Sequence, residues 1–301
     1  MTEGAETVQG IEAVLAALRR GGLPEAEVYV KEGRSRRFAI GAAGTEHQVL
    51  VEEGWAVRAG DRRASFFAAG TGSPDPAGPW PTPQGFPAPL PDPSPVLRWS
   101  EPPDLTSPLV SELEAQGLLT AIGEALAAEL SGAQLAEAVL EDGSSASRLA
   151  SSHGIRAHWR QRVALVRLVA VLPDAGVRAT LDQGVREARR LQPRTLARAL
   201  ADRLAVRARG VRPERATGDV VLAPAAAARL LAGLLPLLVG PEARERAASL
   251  LDAGGRIGAP LLSIVDDGRH PGGLLSAAVD GEGVPTRPVP LVEGGIYRQP
   301  L

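Results

Sequence analysis

An α+β fold is predicted for this chain of 301 residues, with a helix-flanked, largely antiparallel sheet followed by a second β-rich domain. Three observations carry that expectation. Ile11, Val14, Leu15 and Leu18 recur at helical spacing and Gly21-Gly22 closes the segment, which describes an amphipathic helix. A meander of strand-like runs follows at Glu27–Lys31, Arg37–Ile40, His47–Glu52 and Trp55–Arg58, with glycine-containing turns expected between them. Farther on, Arg156–Val171 alternates through Val163, Leu165, Arg167 and Val169 over a length that suits a strand.

The remaining elements follow in order. Residues 1–72 form the helix and strand meander. Thirteen of the 26 prolines fall within 73–108, a density that helix and central strand both reject, so this stretch reads as a surface excursion or linker of polyproline character. Residues 109–215 complete the first domain. Leu113, Leu118, Leu119, Ile122, Leu126 and Leu130 mark a helix, Leu135–Glu141 a strand, and Thr195–Arg209 a helix set between Pro193 and Gly210. Residues 216–301 form the C-terminal domain: from Asp219 onward a strand through Val220-Val221-Leu222, an apolar buried helix, an irregular segment, and a strand at Leu262–Val265. No repeat of solenoid period is present.

Composition excludes several classes of function. The net charge of −2 and pI of 6.2 provide no global field to draw the protein to nucleic acid or membrane. Cysteine is absent, which removes disulfides, thiol catalysis and thiolate metal sites together. The acidic stretch Met1–Thr7 lacks the apolar core of a secretory signal. The apolar run 222–240 contains Arg229 and Pro236, and an arginine at a bilayer centre costs about 2.5–3.5 kcal/mol, so a cytoplasmic protein is expected. Lys31 is the sole lysine and asparagine does not occur, a composition compatible with a GC-rich genome and with a thermophile.

Candidate chemistry is sparse. His153 and His158 are spaced like a zinc pair, but Gly154 stands where a general base would be needed, and on a strand residues five apart face opposite ways. Ser151, Ser152 and His153 lack the G-x-S-x-G elbow of a serine hydrolase. No catalytic residue and no metal ligand is therefore assigned. Asp266-Asp267-Gly268 and Asp280-Gly281-Glu282-Gly283 are the most specific signal. Aspartate beside glycine organises tight turns, while paired carboxylates also suit a hard cation or acid–base work; the turn role is preferred. Within 186–215, ten arginines face three acids. Arg190, Arg194, Arg198, Arg203 and Arg207 fall at helical spacing and form a candidate interface stripe, but no aromatic residue is interleaved for base stacking.

The segments Gly218–Pro224, Ser263–Gly268, Asp280–Thr286 and Leu291–Gly295, together with the Glu27–Val30 and Glu53–Arg58 strands, resemble the TldD/PmbA (TldE) family. Active members of that family are zinc peptidases with H-E-x-x-x-H on the helix after the Val-Val-Leu segment, whereas PmbA/TldE members lack the metal site. Here that helix reads Pro224-Ala225-Ala226-Ala227-Ala228-Arg229-Leu230-Leu231-Ala232-Gly233-Leu234-Leu235. Family members also run well past the Glu293-Gly294-Gly295 turn, and that remainder supplies another zinc ligand in active ones. The resemblance therefore implies a non-catalytic, PmbA/TldE-like member, shortened at the C-terminus and without a cofactor of its own. Zinc is expected only in a TldD-like partner, with which the chain would pair to shape a peptide chamber; self-association is the other possible pairing. Asp266, Asp267, Gly268, Asp280, Glu282 and Gly283 are carried over as signature loop residues. The alternative is a stand-alone protein that binds extended peptides at an open sheet edge, or nucleic acid through the arginine stripe.

Overall fold

The computed structural model describes residues 3–42, 44–87, 89–91, 109–211, 217–234, 238 and 254–299. They fall into two compact units. The first comprises Met1–Gly210 together with Ala277–Pro285, and the second Val211–Ser276 with Thr286–Leu301.

The first unit is a six-stranded antiparallel sheet in the order β3-β2-β1-β4-β5-β6. Its strands are β1 (Glu25–Gly41), β2 (Gly44–Gly60), β3 (Ser65–Thr71), β4 (Gln134–Ser151), β5 (Arg156–Leu172) and β6 (Val177–Val185). The helices are α1 (Glu3–Arg20), α2 (Glu112–Glu129) and α3 (Pro193–Ala208). The separate short strands expected before Gly60 are in fact two continuous ones. Gly33 and Gly54 lie inside the β1–β2 ladder, in register with Glu52 and Lys31. A glycine within a strand permits close backbone approach: a Cβ on Gly54 would stand 3.0 Å from the Gly70 carbonyl oxygen.

Alternation along the strands puts two apolar clusters on the same sheet face. At one end, α1 lays Ile11, Val14, Leu15 and Leu18 on Val28, Val30, Val57, Ala59 and Phe66. At the other, α2 and α3 cover Phe38, Ala138, Leu140, Val166 and Leu168 with Leu119, Ile122, Leu126, Leu196, Leu200 and Leu204. The start of α2 is fixed by a capping box, in which the Ser111 side chain accepts from the Glu114 N–H and Glu114 accepts from the Ser111 N–H. Leu113, expected on the apolar stripe of α2, is instead exposed.

Part of the proline-rich stretch packs back on this unit. Trp80 meets Trp55 edge-on at 5.8 Å and stacks on Phe66 at 6.2 Å, whereas Phe86 is 90% exposed. Trp99 lies outside the described residues.

The second unit holds helix α4 (Pro224–Leu234) and a three-stranded sheet of β7 (Ile264–Asp267), β8 (Pro288–Glu293) and β9 (Ile296–Tyr297), with a small core of Leu238, Leu291, Val292 and Tyr297. The strand expected from Asp219 onward, through Val220-Val221-Leu222, does not form. No ladder partner is present among the described residues, and Val220, Val221 and Leu222 are exposed. Nor is the helix after it buried: α4 has no buried residue.

Candidate functional site

Between the two apolar clusters, the helix-bearing face of the large sheet turns polar. Register places Arg36 beside Val49 and Asp142, Arg34 beside Val51 and Ser144, and Glu32 beside Glu53 and Ala146. Arg160 is next to Ala146, and Arg148 is next to Val30. A cavity of about 640 Å³ opens here, with Thr7 and Gly10 of α1 as one wall and Glu32, Arg34, Glu53, Ser144 and Arg160 among its lining. Arg148 reaches Glu32 at 3.2 Å. Arg34 and Arg160 are both exposed.

Beside this cavity lies a buried ion pair. Asp142 is fully buried and Arg162 is 3% exposed; the Arg162 guanidinium donates to the Asp142 carboxylate at 3.2 Å. The same carboxylate oxygen accepts from the Val110 N–H at 2.8 Å, while Arg36 donates to the Val110 carbonyl at 2.8 Å. Both backbone groups of Val110 are thus held by side chains of the sheet, which anchors the chain just before α2. These charges organise the fold around the cavity and offer no nucleophile.

The opposite sheet face receives the segment 277–285. Val279 packs with Leu149, Ile155 and Ala157, flanked by Tyr29 and Trp159. Asp280 shapes the turn, accepting from the Glu282 and Val284 N–H groups at 2.9 Å each. Gly283 sits at φ +77°, and a Cβ there would meet Ile155 Cγ2 at 2.6 Å, so glycine is required on both counts. Glu282 meets Arg58 at 3.3 Å, and Arg58 also reaches Glu27 at 3.4 Å. Burial pushes the Glu27 carboxyl above its ordinary value; Arg58 opposes that shift, and the charges of Glu282 and Asp280 add to it.

The two acidic signatures fall in different units. Asp280, Glu282 and Gly283 belong to the first; Asp266, Asp267 and Gly268 belong to the second, at the end of β7. There the Asp267 carboxylate accepts from the Arg269 N–H at 3.0 Å, and a Cβ on Gly268 would stand 2.9 Å from that of Thr286.

The two histidines are also apart in role. His153 occupies the β4–β5 turn, its Nδ1 3.2 Å from the Pro91 carbonyl, and His158 lies in β5. Among the described residues no group of three or more potential ligands could hold a metal ion.

The arginine stripe does more than face solvent. Arg203 and Arg207 of α3 donate to the Thr180 and Arg178 carbonyls of β6. Arg190 pairs with Glu187 at 3.2 Å, while Arg194 and Arg198 are exposed. Sequence spacing signalled the stripe but not these carbonyls, which lie in another element.

Residues 215–301 match the family described as the PmbA/TldA metallopeptidase C-terminal domain. That C-terminal stretch is thus similar to the TldD/PmbA family. The fold of the chain is similar to that of several TldD/PmbA-type solved structures at low identity. TldE from Thermococcus kodakarensis matches at TM-score 0.72 and 18% identity over 96% of this chain and 69% of that one. A protein described as a proposed modulator of a DNA gyrase from Thermotoga maritima matches at TM-score 0.74 and 14% identity, over 97% and 70%. Another such protein, from Bacteroides thetaiotaomicron, matches at 0.71 and 14%, over 99% and 72%. No curated protein sequence matches the chain. No described helix is long and apolar enough to cross a membrane.

A zinc ion does not fit the side chains of α4. Zinc takes nitrogen, sulfur or carboxylate donors, and α4 presents only proline, alanine, arginine, leucine and glycine side chains.

Proposed function

We propose that this chain is a non-catalytic, TldE/PmbA-like subunit that works in the cytoplasm. It pairs with a TldD-type zinc metallopeptidase and contributes walls to the chamber that admits peptides. The observation that carries this reading is the donor-free α4, at the place where the resemblance puts H-E-x-x-x-H, in a chain whose fold is similar to that of TldE. The chemistry, and the zinc, belong to the partner.

A nucleic-acid role has less support. Arg203 and Arg207 donate to strand carbonyls and Arg190 pairs with Glu187, so three of the five exposed arginines of the stripe are already engaged within the chain.

The test is co-purification with an H-E-x-x-x-H peptidase of the same fold, followed by peptide cleavage by the mixture and by each protein alone. A stable complex needs at least ~1,000 Å² of interface. A strictly monomeric chain that ignores the peptidase, yet retains duplex DNA with a steep salt dependence, would overturn the proposal.

A further inference from the structure

The large sheet treats its two edges differently. At β6 the edge carbonyls of Arg178 and Thr180 are taken by the Arg207 and Arg203 guanidinia, so that edge is capped by its own helix. On the other side, β3 covers only Gly54–Gly60 of β2. The rest of β2, residues 44–53, pairs with β1; among the described residues no strand lies on its outer side, where the Gly72 N–H donates to the Glu53 carbonyl at 3.3 Å and closes the last position.

This stretch carries its charges only toward its ends. It carries no proline, lysine or arginine, and at its centre Val49, Leu50 and Val51 are 45%, 56% and 67% exposed. Its charges are of one sign: Glu46 at one end, Glu52 and Glu53 at the other. Glu46 and Glu52 pair with Arg37 and Lys31 of β1, both at 3.1 Å, and both carboxylates stay exposed, open to a further cation. Val51, Glu52 and Glu53 also line the 640 Å³ cavity, which therefore opens at this edge.

We infer that residues 44–52 of β2 form a strand-addition site for an extended peptide with an apolar centre and basic flanks. The peptide's main chain would complete the ladder. Its apolar side chains would cover Val49, Leu50 and Val51, and lysine or arginine would meet Glu46 at one end and Glu52 and Glu53 at the other. Because β3 and Gly72 occupy the edge from Glu53 onward, the site has a fixed end and a length of about nine residues. A second copy of β2 fits less well. Pairing Leu50 with Leu50 sets the copy's Glu46 against Gly54, and its preceding hairpin tip runs into the place that β3 holds. This inference stands apart from subunit pairing, since it concerns a different surface and is read on the chain alone.

The experiment is fluorescence anisotropy with the full chain and a labelled peptide of matching length, valine and threonine alternating between lysine ends. The same peptide with glutamate ends, and two versions N-methylated at alternate amides, serve as controls. Binding should weaken at least ~10-fold with glutamate ends, on Leu50→Lys or Val51→Lys, and for one of the two N-methylated peptides. Phe67→Lys, on β3, should leave binding unchanged. Equal binding of lysine- and glutamate-ended peptides, or of all N-methylated forms, would overturn the inference. So would a dimer of the chain alone that dissociates on Val51→Lys, which would assign the edge to a second copy. Should either β2 variant misfold, the N-methylated peptides still decide the question on the unaltered protein.

Discussion

Replacing Asp142 by alanine should be among the most damaging single changes in the first unit. The carboxylate is fully buried, and one of its oxygens serves both the Arg162 guanidinium at 3.2 Å and the Val110 N–H at 2.8 Å. Its removal withdraws the counter-charge from a buried arginine, which costs about 3–5 kcal/mol, and also deprives a buried N–H of its acceptor, about 1–3 kcal/mol taken alone. The two losses share one group and do not add in full, so about 3–5 kcal/mol is expected. With a urea slope of about 2–3 kcal/mol per molar, the midpoint should fall by roughly 1–2 M. Tryptophan fluorescence reports the transition, because Trp55, Trp80 and Trp159 all pack on the large sheet. Asp142→Leu combined with Arg162→Met removes both charges and should recover most of the loss, leaving mainly the Val110 N–H without its acceptor. Single variants that each cost less than about 1 kcal/mol would refute the reasoning, because water would then have to reach the pair.

Three further outcomes are expected. Backbone and side-chain hydrogen bonds from Ser111 and Arg189 hold the Glu114 carboxyl at about 2, below its ordinary 4.5; its contribution is complete above about 4.5 and lost as pH falls toward 2. The stability gap between the protein and Glu114→Gln should close over that window, as read by denaturation at stepped pH. Gly283→Ala places a Cβ 2.6 Å from Ile155 Cγ2 at φ +77°; it should cost about 1–3 kcal/mol and speed amide exchange selectively across 277–285, and an unchanged exchange map would count against the seating of that segment. The purified chain should hold no stoichiometric zinc after mild dialysis; one zinc per chain by elemental analysis, lost on His153→Ala, would revive the histidine pair.

The α+β class and the positions of α1, α2, α3 and β5 were readable because each is an amphipathic element of ordinary period. Continuity of the strands was not. Glycine ordinarily signals a turn, yet Gly33, Gly54 and Gly143 sit within ladders, where neighbouring strands come close: a Cβ on Gly143 would stand 3.2 Å from that of Ser35. Gly70 is similar, since Trp55 lies over it with ring atoms 2.7 Å from where a Cβ would be. Such a requirement is set across the sheet, and a linear pattern cannot display it. Val220-Val221-Leu222 erred in the opposite direction: a run of strand-forming residues is a strand only when another strand pairs with it, and propensity alone does not supply one.

The same distinction between local pattern and distant partner governs the functional surfaces. The lack of zinc donors in α4 could be read directly, because ligation of this kind depends on side chains one helical turn apart. The meaning of the arginines on α3 could not. Their spacing declared a basic face, but two of them serve carbonyls in β6 that precede them by 23 and 29 residues. Once those guanidinia are understood as an edge cap, the bare stretch of β2 becomes informative by contrast. A chain that guards one end of its sheet with its own helix is not indifferent to strand pairing, and the exposed Val49-Leu50-Val51 between Glu46 and Glu52, unpaired by any described strand, is where the proposed peptide finds both apolar surface and opposite charge.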